Sequence, residues 1–340
     1  MLLNRPYRQK EKNGKHCKEH KRQNDKAGGL FMKTRQFISA MLVFALCCGI
    51  FPYRKAEASA CSGNTVEELM AWYHNPERSG TVFTLTGDMI CQQRLSLLEE
   101  DRADQSLLTI AAGEYSIVFE PLSTRVGMTI DDTGLSITGG SAEGVLQIRN
   151  GLFNLNAGKI SAEGTDACAL SVISRSFING GEISTEGEGA IGIRAQGYLN
   201  IDGGTVTVKG SDSVGVSATK DVTLSYGKIE AVGDRACGLS VLRGATFNAE
   251  KNYYQPDFFS LRAEGEHAVG LLIADGVFSA TIQNSLVEGI GSEAYAIKAS
   301  SDMLAVYTRV DGRIDFADGR QITAYLSTVP NDHSVQRGKE

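Results

Sequence analysis

The chain has 340 residues, 42% hydrophobic and 22% charged, with 38 Gly, only 6 Pro and a formal net charge of −6 at pH 7. That apolar fraction excludes an intrinsically disordered chain. An acidic surplus excludes nucleic acid and anionic lipid as obvious partners, because both select basic surfaces.

In chain order, residues 1–31 are polar and basic, with nine Lys or Arg against three Asp or Glu. Met32-Lys33-Thr34-Arg35, the apolar run Phe37–Phe51 and the small-residue stretch Ala56-Glu57-Ala58-Ser59-Ala60 then follow. Basic n-region, apolar h-region and A-x-A site are the parts of a secretory signal, here with cleavage expected between Ala60 and Cys61. The run of 15 residues is shorter than the roughly 20 needed to span a bilayer, so no transmembrane segment is expected in the mature chain. Translation from either Met1 or Met32 fits this pattern. Loss of residues 1–60 lowers Lys plus Arg from 34 to 21 and Asp plus Glu from 40 to 36, so the mature chain would carry −15.

Seven cysteines shrink to four on that cleavage: Cys61, Cys91, Cys168 and Cys237. Cys61 has two readings, a bridge to Cys91 or a lipidated first residue. Residues 61–79 are expected to cap the molecule with one short helix from Thr65 to His74. Thr65 with Glu68 forms a capping box, and Val66, Leu69, Met70 and Tyr73 share a face. Trp72 beside them reads as packing in that cap or as a platform for a sugar.

Residues 80–326 read as strands throughout. Val82–Leu85, Ser106–Ala111, Tyr115–Phe119, Met128–Ile130 and Leu135–Ile137 lead into the repeats, with Arg94–Gln105 read as a loop or short helix. Between Gly151 and Gly244 the sequence repeats every 23 residues. Gly158, Gly181, Gly204 and Gly227 form one column, and Gly164, Gly187, Gly210 and Gly233 another. Apolar residues alternate with period two, the strand period. The inward columns are Leu155, Ile178, Ile201, Leu224 and Phe247; then Ile160, Ile183, Val206 and Ile229; then Leu170, Ile193, Val216 and Leu239. Three short strands per 23-residue rung define a parallel β-helix, whose rungs stack at roughly 4.8 Å. At one corner Asn156, Asn179, Asp202 and Ser225 stack, so their side chains can bond one another as Asn ladders do. Cys168 and Cys237 share an inward column with Ile191 and Val214, three rungs apart. That is roughly 14 Å along the axis, beyond the ~7 Å a disulfide tolerates, so both are expected to be buried, unpaired thiols.

After Phe247 the period breaks. The pattern resumes at Phe259–Gly265, 32 residues after Gly227–Gly233, so about nine residues are inserted. Insertions in solenoids leave the coil and often carry binding. This one holds Tyr253, Tyr254 and Phe258, the candidate ligand or partner contacts. Val287–Ala299 makes a further rung, Asp311-Gly312-Arg313-Ile314 the last recognisable turn, and Gln321–Leu326 a closing strand. Residues 327–340 are expected to be a loose tail.

The rung Gly181-Glu182-Ile183…Gly187…Ala190-Ile191-Gly192-Ile193 resembles the right-handed parallel β-helices of the pectin-lyase-like class, particularly bacterial adhesins and autotransporter passengers. The resemblance covers roughly residues 80–320. It implies a secreted or cell-surface bacterial protein, and a fold that hosts both polysaccharide enzymes and adhesins. Of the N-T-D, D-D, G-H-G and R-I-K motifs of polygalacturonase-like enzymes, only Asp131-Asp132 is present, and that pair also reads as the opening of a turn. Arg194 is the one basic residue in an outward column of Ser171, Ser217 and Ser240. Asp166, Glu188, Asp212 and Asp234 line one turn edge as a solvated face. No catalytic residue, metal ligand or cofactor is assigned, and the expected function is non-catalytic binding of a glycan or surface protein. A structural spacer is the alternative.

Overall fold

The computed structural model describes residues 62–325 apart from 79, 103, 243–245, 250–258, 284, 307 and 318–321. All the described residues belong to one compact unit.

The described chain is one helix followed by a parallel β-solenoid. Each rung contributes one strand to each of three stacked arrays, and every pairing is parallel. The first array runs from Val82–Leu85 through Leu108–Gly113, Leu135–Gly139, Lys159–Glu163 and Glu182–Glu186 to Phe259–Glu264, Ser285–Ile290 and Arg309–Asp311. The second is a 10-stranded sheet from Met89–Cys91 to Arg313–Phe316, which counts ten turns of the coil. The third runs from Leu95–Leu98 to Ile322–Tyr325. Strands Leu199–Lys209 and Val222–Val232 pass through the third array into the first without interruption. They join the two arrays into a 19-stranded sheet.

The 23-residue register is observed directly. Leu155 pairs with Ile178, Ile160 with Ile183, and Leu170 with Ile193. These columns are buried along their length, because a side-chain period of two directs alternate residues of every rung to the same interior. The second array also needs a small column. A Cβ on Gly192 would lie 2.6 Å from Gly215 O and 2.7 Å from Val206 Cγ1. Cys168 and Cys237 are buried free thiols, as expected. Their column mates Ile191 and Val214 are only half-buried, so this column runs along the flank of the sheet rather than through its core.

Two sequence expectations are corrected. Residues 94–105 are not all loop: Leu95–Leu98 is a strand of the third array, paired with Met128–Asp131, and Glu99–Asp101 is a single 3₁₀ turn. Its LSLL pattern buries Leu95 and Leu97, a period-two signal hidden by the charged residues after it. Phe247 does not continue the Leu224 column. It pairs with Val222, and Ala249 takes the place opposite Leu224. The insertion is therefore split, two residues before Thr246 and the rest after Ala249.

The helix Val66–Tyr73 starts at its capping box: Glu68 N–H donates to Thr65 Oγ1 at 3.2 Å, and Thr65 N–H to Glu68 Oε2 at 3.1 Å. It packs on the first rung. Trp72 is fully buried with its ring centroid 5.5 Å from that of Phe83, and its indole N–H donates to Gly80 O at 3.3 Å. This is cap packing, and no ring face remains for a sugar.

Candidate functional site

The Asp131-Asp132 pair is divided by the strand end it occupies. Asp131 is exposed and accepts from Asn156 Nδ2 at 3.3 Å, while Asn179 Nδ2 donates to Asn156 Oδ1 at 2.9 Å. This is the expected corner ladder, extended one rung to an aspartate. Asp132 is fully buried. Its Oδ2 accepts from Tyr73 Oη at 2.6 Å, its Oδ1 from Gly134 N–H at 2.9 Å, and Arg102 Nη2 stands 3.6 Å from Oδ1. Burial and the neighbouring carboxylate push the Tyr73 hydroxyl well above the ordinary phenol range. Two carboxylates that point to opposite sides of the chain cannot share one reacting bond, so the pair does not form an acid–base couple. Asp132 instead ties the helix to the first two rungs. Neither Tyr73 nor Arg102 was legible as its partner, because the three lie in different, non-repeating segments.

Arg194 stands in the outward column with Ser171 and Ser217. Its Nη1 donates to Ala142 O at 3.0 Å, so the guanidinium leans along the sheet onto an earlier corner.

The acidic edge lies at the corner between the first and second arrays. In successive turns this corner is Gly164–Ala167, Gly187–Ala190, Gly210–Ser213, Gly233–Ala236, Gly265–Ala268 and Gly291–Ala294. Its third residue is left-handed in each: Asp166 at φ 56°, Gly189 at 68°, Asp212 at 56°, Arg235 at 54°, His267 at 58° and Glu293 at 55°. Non-glycine residues there are uncommon, and Asp is among the most tolerant. The side chains form a charge ladder. Arg235 grips Asp212 through Nε–Oδ1 at 2.7 Å and Nη2–Oδ2 at 2.6 Å, and reaches Asp234 Oδ2 through Nη1 at 2.7 Å. The bond to Arg235 holds the Asp212 carboxyl below the usual carboxylate range. Two turns on, Arg313 pairs with Glu293 at 2.6 Å. Of the four carboxylates expected to form a solvated face, Asp212 and Asp234 are paired with Arg235, and Asp166 is exposed.

Tyr253, Tyr254 and Phe258 lie outside the described residues, as do Ala60 and Cys61. The strands on either side of the insertion keep their register. Ala249 pairs with Leu224 and Ser260 with Lys228. Between these two pairings one turn has three residues, 225–227, and the next has ten, 250–259. Cys91 is buried and its thiol donates to Gln93 O at 3.2 Å; its pairing with Cys61 lies outside the described residues. Among the described residues no helix is long and apolar enough to cross a membrane.

No protein family, curated protein or solved structure matches the chain. The solenoid therefore rests on its own register, and function has to be argued from the coil.

Proposed function

We propose that this protein is a secreted or surface-exposed bacterial solenoid that acts as a non-catalytic, adhesin-like binding module, with residues 250–258 as its contact stretch. The observation that carries the reading is the unbroken register across the insertion, from Leu224–Ala249 to Lys228–Ser260. Residues added at a corner without shifting the strands on either side are not needed for the coil to propagate. The added stretch holds Tyr253, Tyr254 and Phe258, and aromatic faces stack on sugars and anchor protein contacts. The signal-like pattern of residues 32–60 and the likeness of the rungs to pectin-lyase-like adhesins favour the same reading. So does the use of Asp132, one half of the Asp131-Asp132 pair that matches a hydrolase motif, as an internal strut. The partner class is a glycan or a surface protein.

The test is a Tyr253→Ala/Tyr254→Ala variant of the mature chain on glycan arrays and on intact cells. The expected result is a melting temperature close to that of the parent with binding lost. Unchanged binding would move the contact elsewhere on the coil. A parent protein that binds no glycan and no cell would leave the spacer reading, which the long uniform ladder favours.

A further inference from the structure

The corner ladder brings one imidazole and two carboxylates together across the insertion. Asp234 lies in the turn before residues 250–258, and Glu266 and His267 in the turn after. The two corners are fastened by Arg235 N–H, which donates to Glu266 O at 2.7 Å. Their left-handed backbones, φ 54° at Arg235 and 58° at His267, set the directions in which stacked side chains leave the coil. His267 Nδ1 stands 3.8 Å from Asp234 Oδ1 and 3.9 Å from Glu266 Oε1, and the three ligand atoms all lie within 4.8 Å of one another. These separations are too long for hydrogen bonds. Asp234 divides its oxygens: Oδ2 accepts from Arg235, whereas Oδ1 is shielded from solvent and accepts no hydrogen bond. A desolvated carboxylate oxygen without a donor is unfavourable. Arg235 cannot readily supply one, because its Nε and Nη2 are held by Asp212.

We propose that Asp234, Glu266 and His267 form a site for a divalent transition-metal ion of the zinc class, which fastens together the two turns that the insertion separates. Ligand atoms bound at about 2.0–2.2 Å sit roughly 3.4 Å apart at a tetrahedral angle. The present spacing needs only small side-chain rotations to reach that geometry: His267 and Glu266 are more than half exposed and free to make them, while Asp234 keeps Oδ2 on Arg235 and offers Oδ1. One nitrogen and two oxygens suit Zn²⁺, Co²⁺ or Ni²⁺. Calcium takes about six to eight oxygens, and this set supplies fewer. Three protein ligands leave the fourth position to water. Asp234 and Glu266 are 32 residues apart in sequence, so the ion would close the chain segment that carries the proposed contact stretch, although the metal site does not depend on that reading.

The experiment titrates untagged full-length protein with Co²⁺, followed by visible absorption, and then displaces it with Zn²⁺. Three variants accompany it: His267→Asn, in which Asn keeps the left-handed backbone accessible, Glu266→Gln, and Glu188→Gln as a control in the same corner column. The parent and E188Q should bind one Co²⁺ with a d–d spectrum, and Zn²⁺ should raise their melting temperature. H267N and E266Q should bind at least about tenfold more weakly, gain no thermal stability from Zn²⁺, and melt like the parent in chelator. Should H267N fail to fold, E266Q carries the same expectation, since its side chain is exposed. Equal affinity in E266Q and the parent, or no saturable binding by the parent up to about 1 mM metal, would overturn the site.

Discussion

At the scale of single residues, the solenoid uses its reactive groups as structure. Burial pushes the Cys168 thiol up to about 11 and the Cys237 thiol up to about 12, so at neutral pH almost no thiolate is present to react. A thiol reagent should therefore label neither cysteine in the folded protein and both after unfolding; rapid native labelling, read by mass spectrometry, would refute the burial. Asp132 makes a sharper case. Replacing it with Asn keeps the shape but removes the charge that faces Arg102, whose side chain is 4% exposed. Breaking a buried ion pair on one side costs about 3–5 kcal/mol, whereas Tyr73→Phe removes only a hydroxyl and should cost about 1–3 kcal/mol. Urea denaturation should rank D132N as the worse of the two. The reverse order would mean that Arg102 reaches solvent when its partner is lost.

At the scale of elements, the corner glycines and the capping helix decide whether rungs can stack. Gly210 has φ 139°, and a Cβ there would lie 2.0 Å from Gly187 O. Gly164 has φ 124° with nothing within 4 Å of the same atom. Both substitutions to Ala incur backbone strain of about 1–3 kcal/mol, but G210A must also force two rungs apart, so its melting temperature should fall clearly below that of G164A. Equal losses would show that strain rather than stacking sets the requirement. Thr65→Ala removes the helix cap and should cost about 1 kcal/mol, measurable as a small shift of the urea midpoint. These elements were legible beforehand because each is written in a local or periodic signal: T-x-x-E for the cap, one Gly per rung for the corner. What escaped was the partnership of Tyr73, Arg102 and Asp132, whose segments obey no common period. The meeting of His267 with Asp234 and Glu266 escaped too, since it requires the register on both sides of the insertion. The sequence alone showed how many residues were added, yet not that two precede Thr246, and so it placed Phe247 two residues too far along its strand.

At the scale of the whole molecule, a solenoid couples each rung to its neighbours only, so a change at one corner is felt by two rungs rather than by the entire core. This locality gives the strongest test of what the insertion is for. Shortening residues 250–258 to two residues, while retaining Phe259, which is buried and pairs with Ser285, restores the corner length of the preceding turn. If the stretch is an addition to a self-sufficient coil, the shortened protein should fold with its parallel ladder intact. Its stability should rise slightly, because closing a shorter connection saves about 1 kcal/mol of chain entropy, or roughly 2–4 °C in melting temperature for a domain of this size. Binding to glycans or cells should disappear in the same variant. A fall of ten degrees or more in a calorimetric scan would instead mean that Tyr253, Tyr254 and Phe258 cover apolar surface of the coil, since each buried aromatic lost costs about 3–5 kcal/mol. A variant that kept both its stability and its binding would take the contact surface away from this corner and put it on the polar outer faces of the arrays.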